Sequence, residues 1–370
     1  MLKPEDIIIK KLQYRCCRRE VLELPRIQAI VDECCNNLNI SPLHLICCES
    51  LTRNFSSFYL RKEPYLIYDS CLMEALYLYD CILLSGADTN DMDKFFYKLY
   101  GEELVLCGDF IHSLYFAEKY CSLNFSFDHG YDFPKKEAEK RLSRQNYFLI
   151  AHEIAHLSLH GLGAERIPEK FCTYVRAAIV ALTERIVKQG QPLEDVLANR
   201  SEYFIDTVPK TLDEYFDMLT KSSQFSHFME ECYCDFIGLK MLLEHYGESD
   251  LSVSAISGAL NYLITQESIR SDLEDGMEHI KDTVREAHSV MYFSVLRVQL
   301  LLITLEMNQL DNINIVFSEI HDRSNLTDRL NTFVQSILDE KCIVNNFVDM
   351  DKEAIRNILF KKFYYAHIGE

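Results

Sequence analysis

The stretch from Tyr147 to His160, Tyr-Phe-Leu-Ile-Ala-His-Glu-Ile-Ala-His-Leu-Ser-Leu-His, constrains this chain more than any other. Wound into a helix it is apolar on nearly every side, because its only polar members are three His, Glu153 and Ser158. A helix that is hydrophobic all round belongs inside a core. The flanking pattern predicts a helix from near Lys135 through His160, stopped by Gly161, Gly163 and Pro168. An ionised Glu153 between two His in such a place costs on the order of several kcal/mol unless something uses its charge.

The same residues spell H-E-x-x-H, His152 to His156. Side chains four apart lie on one helical face, so both imidazoles can address one Zn²⁺. Glu153 sits beside that face, within reach of a water at the open position, as a general base. A catalytic zinc needs a third protein ligand. The metzincin continuation requires Gly and His where this chain has Leu159 and Leu162, so that class is excluded. A better source is the run Phe228 to Gly238, predicted on a helix from about Phe225 to Tyr246. There Glu231 and Asp235 share one face, next to an apolar one formed by Phe228, Cys232, Phe236 and Leu239. Glu231 completes a His₂Glu set, and Asp235 accepts the free ring N–H of a ligating His. Glu230 is the alternative ligand, at another helical angle. His160 is either an outer or substrate-side group of the site, or a cation at the helix C-terminus. Both readings stand at this point.

Composition narrows the class. Gly and Pro number 12 and 8, where average usage gives about 26 and 18. With 48% hydrophobic residues, this predicts a mainly α protein with a small β-sheet, an α+β chain with a real core. The net charge of −19 and the lack of any basic block argue against a nucleic-acid partner. The segment Met1 to Lys11 has no secretory pattern, and no apolar run approaches the roughly 20 residues of a membrane helix. A cytoplasmic protein with no membrane partner is expected. The 14 Cys are then buried free thiols, and Cys232-x-Cys234 is only a weak metal signal.

Along the chain, residues 1–50 read as short helices bounded by Pro25 and Pro42. The β-prone runs Phe55 to Leu60 and Tyr65 to Asp69 predict a hairpin around Arg61 to Pro64. A helix from Cys71 to Leu84 follows, then mixed helical pattern over 94–124 and a loop over 126–134. Helices broken near Gly190 fill 169–220, and residues 251–310 read as helical. The expected division is an N-terminal helical segment (1–50), a core (51–250) with helical insertions at about 88–140 and 165–222, and a helical C-terminal region (251–370).

Ala151-His-Glu-Ile-Ala-His156 with a distant Glu-x-x-x-Asp resembles the gluzincin-type HExxH zinc metallopeptidases. The spacing His152 to His160 is most similar to the ImmA/IrrE family, intracellular proteases that cut repressors. The segment Tyr65 to Leu76 resembles the strand and helix preceding the motif in the CAAX-prenyl-protease-like and minigluzincin group. The phage-exclusion protease Lit is similar in overall type. This resemblance covers about 35 motif residues over 51–240. It implies a zincin-like core, zinc on His152, His156 and Glu231, a base at Glu153 and support from Asp235. It also makes the sheet over Phe55 to Asp69 the holder of extended substrate. The chain departs from the pattern in its long gap from His156 to Glu231 and in Cys234, where an Ala is common. Membrane-linked relatives carry a His-Pro…Arg element whose loose counterpart here is His321 and Arg329; these would stabilise an oxyanion, or else lie on a polar helix surface.

The expected function is therefore a zinc-dependent endopeptidase acting on a specific protein substrate, with Zn²⁺ as cofactor. A protein activator or regulator is a possible further partner, if the enzyme is latent until triggered. The competing expectation is a helical regulatory protein with a structural or vestigial metal site. The two differ at Glu153, which only the hydrolase needs.

Overall fold

The organising piece of β-structure is a strand with apolar residues on both faces. In the computed structural model β3 (Glu63–Asp69) lies at the centre of a three-stranded mixed sheet. It pairs in parallel with β1 (His44–Cys48) and antiparallel with β2 (Ser56–Leu60). Leu66 and Tyr68 enter the main core, while Tyr65 and Ile67 meet Ile46 and Cys48 on the other face. The β2–β3 turn is the two residues Arg61 and Lys62, with φ of 54° and 72°. Positive φ at both positions marks the hairpin turn whose twist matches the strands. The structure describes residues 25–49, 53, 55–86, 89–129, 132–161, 167–201, 208–221, 225–247, 250–275, 296–297, 299–301, 358–359 and 361–363.

The rest of the described chain is mainly helical: α1 (Pro25–Asn37), α2 (Ser70–Leu84), α3 (Thr89–Cys107), α4 (Phe110–Ser122), α5 (Asp132–His160), α6 (Glu169–Lys188), α7 (Leu193–Ser201), α8 (Leu212–Lys221), α9 (Phe225–Tyr246) and α10 (Asp250–Asp275). This is an α+β architecture. Helix α2 starts directly off β3 because the buried Asp69 side chain accepts the Cys71 N–H at 3.0 Å, satisfying an otherwise orphan donor. Helix α5 runs through the middle of the molecule, and Phe148, Ile150, Ala151, Ile154 and Ala155 are fully buried.

Three segments differ from what the sequence pattern predicts. Residues 44–48 form a strand rather than part of a helix, since Leu45 to Cys48 gains a partner in β3 that is distant in sequence. The span 126–134 is not all loop: a 3₁₀ turn occupies Ser126–His129 and α5 has begun by Asp132. Tyr65 to Asp69 is a central strand with both edges paired, so it cannot hold an added strand; among the described residues β2 is an edge.

Two apolar masses flank the site. The larger joins α1, the sheet, α2–α5, α10 and the second half of α9. The smaller joins α6–α8, Leu296 and Leu300 to the first half of α9 through Phe228, Met229 and Cys232. Helix α9 thus belongs to both. It approaches α5 closely because position 238 is Gly: a Cβ there would lie 3.1 Å from the Phe148 carbonyl oxygen. No helix among the described residues is long and apolar enough to cross a membrane.

Candidate metal centre

The close antiparallel passage of α5 and α9 sets His152 and His156 against Glu231 and Asp235. His152 Nε2 and His156 Nε2 are 3.2 Å apart. The Glu231 carboxylate faces both, Oε2 at 3.4 Å from His152 Nε2 and Oε1 at 3.2 Å from His156 Nε2. Ligands bonded tetrahedrally to zinc at about 2.0–2.1 Å stand about 3.3–3.4 Å from one another. The three groups are spaced as such a set.

The outer contacts decide which ring atoms carry protons. His156 Nδ1 donates to Glu230 Oε1 at 2.7 Å. His152 Nδ1 lies 3.0 Å from Asp235 Oδ1, off the line of a good hydrogen bond. A carboxylate only accepts, so each Nδ1 carries a proton, and each Nε2 is left facing the Glu231 carboxylate. Two ring nitrogens and a carboxylate converge on one point, where positive charge, a proton or a cation, is favoured. The titration behaviour has the same cause. Burial disfavours the charged His152 ring, but Asp235 and Glu231 outweigh it and push the ring up to about 10. Burial likewise opposes charge on Glu231, yet Arg297 and the two imidazoles hold its carboxyl well below the usual range. His152, His156 and Glu231 form a donor set that could hold a metal ion.

Arg297 is the residue that motif reasoning missed. Its Nε and Nη2 donate to the two oxygens of Asp235, each at 2.9 Å, and Nη1 lies 2.8 Å from Glu231 Oε2. One guanidinium therefore fixes both the third donor and the carboxylate behind His152. The available signal was a lone Arg in the apolar run Val295 to Leu302, since a charge there needs a buried partner.

Glu153 is half-buried, one position along from His152, and its charge acts on His156. Glu230 belongs behind His156 rather than in the inner triangle. His160 does not serve the helix end alone: its Nε2 donates to the same Glu230 oxygen at 2.6 Å. Cys232 and Cys234 are buried and held as thiols by burial, outside the donor set. His321 and Arg329 lie outside the described residues.

Strand β2 is strapped to this part of α5. Ser57 Oγ donates to the Glu153 carbonyl at 2.7 Å, and Tyr59 OH to the Leu157 carbonyl at 3.1 Å. Two residues along a strand match about one turn of helix, so one face of β2 follows one face of α5. Gly161 leaves room for this: a Cβ there would meet the Tyr59 hydroxyl at 2.9 Å. Compared with models of known families, with curated proteins and with solved structures, the chain matches none.

Proposed function

We propose that this chain is a zinc-dependent endopeptidase with a zincin-like core of the gluzincin type, acting on a specific protein substrate. The observation that carries the reading is the convergence of His152, His156 and Glu231 at 3.2–3.4 Å, with the Glu153 carboxylate one residue away on the same helix. Among the described residues the set has three donors, and a site with three protein ligands and an open position is the hydrolytic kind. Zinc held there supplies Lewis acidity, which polarises a carbonyl and makes water a usable nucleophile near neutral pH.

The chain's own groups do the rest. Glu153 accepts a proton from the attacking water on a carboxylate oxygen and returns it to the leaving amine nitrogen. Asp235 and Glu230 keep the two Nδ1 protons in place, so that both Nε2 atoms stay available. The edge of β2 holds an extended peptide by strand addition, alongside the turn that carries Glu153. The buried cysteines fit a reducing, cytoplasmic setting: burial pushes Cys34 up to about 12 and Cys35 and Cys47 to about 11, so all three stay protonated.

The test compares wild type, Glu153→Gln and Glu231→Ala. Zinc content should be one equivalent in wild type and in Glu153→Gln, and should be lost in Glu231→Ala. New protein N-termini should arise in cells expressing wild type and in neither variant. If Glu153→Gln yields the same new N-termini as wild type, the hydrolase reading is wrong.

A further inference from the structure

We propose that Glu230 and His160 are positioning residues for the second imidazole of the centre, and that His160 acts only through Glu230. The inference rests on the zinc reading above. It starts from an asymmetry between two otherwise parallel chains of contacts.

An imidazole that offers Nε2 to a cation must keep a proton on Nδ1 and must not swing about its Cβ–Cγ bond. For His152 the restraint is Asp235, itself gripped by Arg297 through two 2.9 Å bonds. For His156 the restraint is Glu230 at 2.7 Å. In the position that Arg297 holds behind Asp235, the second chain has His160, whose Nε2 donates to Glu230 Oε1 at 2.6 Å. Each ring is therefore backed by a carboxylate, and each carboxylate by a nitrogen donor. One backing is buried; the other ends at a side chain that is 60% exposed.

The geometry also separates this role from that of a second cation site. His156, His160 and Glu230 form a group of metal-binding type. Their contacts of 2.6–2.7 Å are hydrogen-bond lengths. Two ligands of one zinc ion stand about 3.3–3.4 Å apart. Both imidazoles also address the same oxygen of Glu230, which suits one acceptor shared by two donors. His160 reaches that oxygen because it follows His156 by four residues, on the same face of α5.

The proposal is tested on the full chain by zinc affinity, measured by competition with a fluorescent chelator, and by the visible spectrum of the Co²⁺-substituted protein. Loss of an outer partner of a ligating His costs about 10–100-fold in metal affinity. Glu230→Ala should weaken zinc binding by that factor and shift the Co²⁺ spectrum, beside a small drop in the thermal midpoint of the zinc-free protein from its two lost hydrogen bonds. Glu230→Gln keeps an acceptor oxygen and should recover most of the affinity. His160→Ala should weaken binding in the wild-type background and change nothing in the Glu230→Ala background, whereas independent residues would multiply their effects. Unchanged affinity in Glu230→Ala, or multiplied losses in the double variant, overturns the proposal. If Glu230→Ala does not fold, the exposed His160→Ala carries the test alone, and no loss of affinity overturns it. A wild-type chain that binds no zinc overturns the metallopeptidase reading instead.

Discussion

Replacing Arg297 by Met removes a cation shared by two buried carboxylates, and the cost follows from the contacts. The guanidinium makes two bonds to Asp235 and one to Glu231, and its side chain is only 18% exposed. Each charge pair, with centres about 4 Å apart, is worth about 4 kcal/mol at an effective dielectric of 20. Much of that gross value offsets the desolvation of the ions. Breaking a buried pair by deleting one partner typically costs about 3–5 kcal/mol, because the other charge stays buried and uncompensated. At roughly 2 °C per kcal/mol for a large domain, the thermal midpoint of the zinc-free protein should fall by about 6–10 °C. Arg297→Lys should fall between, since a point charge cannot reproduce the two-pronged contact. Zinc in excess should shrink the deficit, because a divalent ion supplies positive charge to the same carboxylates. The assay is thermal unfolding of wild type, Arg297→Met and Arg297→Lys with chelator and with zinc. A drop of less than about 2 °C, or the same drop in both conditions, would refute the argument that Arg297 acts as counter-charge to this centre.

Further expectations concern pH, the strap and the start of α2. In the zinc-free protein the carboxylates around His152 hold its ring up to about 10, so at pH 7 it carries a proton that zinc must displace. Zinc affinity should therefore rise with pH, about tenfold per unit between pH 7 and 9, with proton release visible by calorimetry in buffers of different ionisation enthalpy; affinity flat over that range contradicts this. Although 35% of its side chain stays exposed, desolvation raises Glu74 to about 7 from the ordinary carboxylate value and outweighs Lys98 nearby. A raised carboxyl favours the fold while protonated and loses that contribution as pH climbs through 7. Glu74→Gln should thus stabilise the protein at pH 8 and leave it unchanged at pH 4, as read by urea midpoints. Gly161→Ala should displace the Tyr59 hydroxyl and lower stability by about 1 kcal/mol, the value of one hydrogen bond, with zinc content intact. Asp69→Ala removes the cap of α2 and should cost about 1–2 kcal/mol in denaturant unfolding.

How much of this was legible depends on the range of the interaction. Helices α5 and α9 were readable close to their observed ends because Gly and Pro are scarce and mark the breaks. The placing of Glu231 and Asp235 on one face followed from helical spacing alone. The choice between Glu230 and Glu231 did not, since it depends on how α9 is turned against α5, and Gly238 sets that approach. Strand β1 escaped because a short apolar run after Pro42 has no periodicity of its own, and a parallel partner is never adjacent in sequence. Arg297 escaped for a similar reason: its role exists only once α9 lies beside it.

Helix α9 is a common wall to two hydrophobic masses while it also carries Glu230, Glu231 and Asp235. A bulkier side chain at the buried Cys232 or Leu239 can be housed only by shifting the helix or its neighbours. Reacting groups must be held within about 0.5 Å and 10–20° to work, so a small shift is enough to spoil the triangle. Sequence drift in either mass is thereby tied to the spacing of these carboxylates, and substitutions at apolar positions of α9 should surface as altered metal retention as well as lost stability.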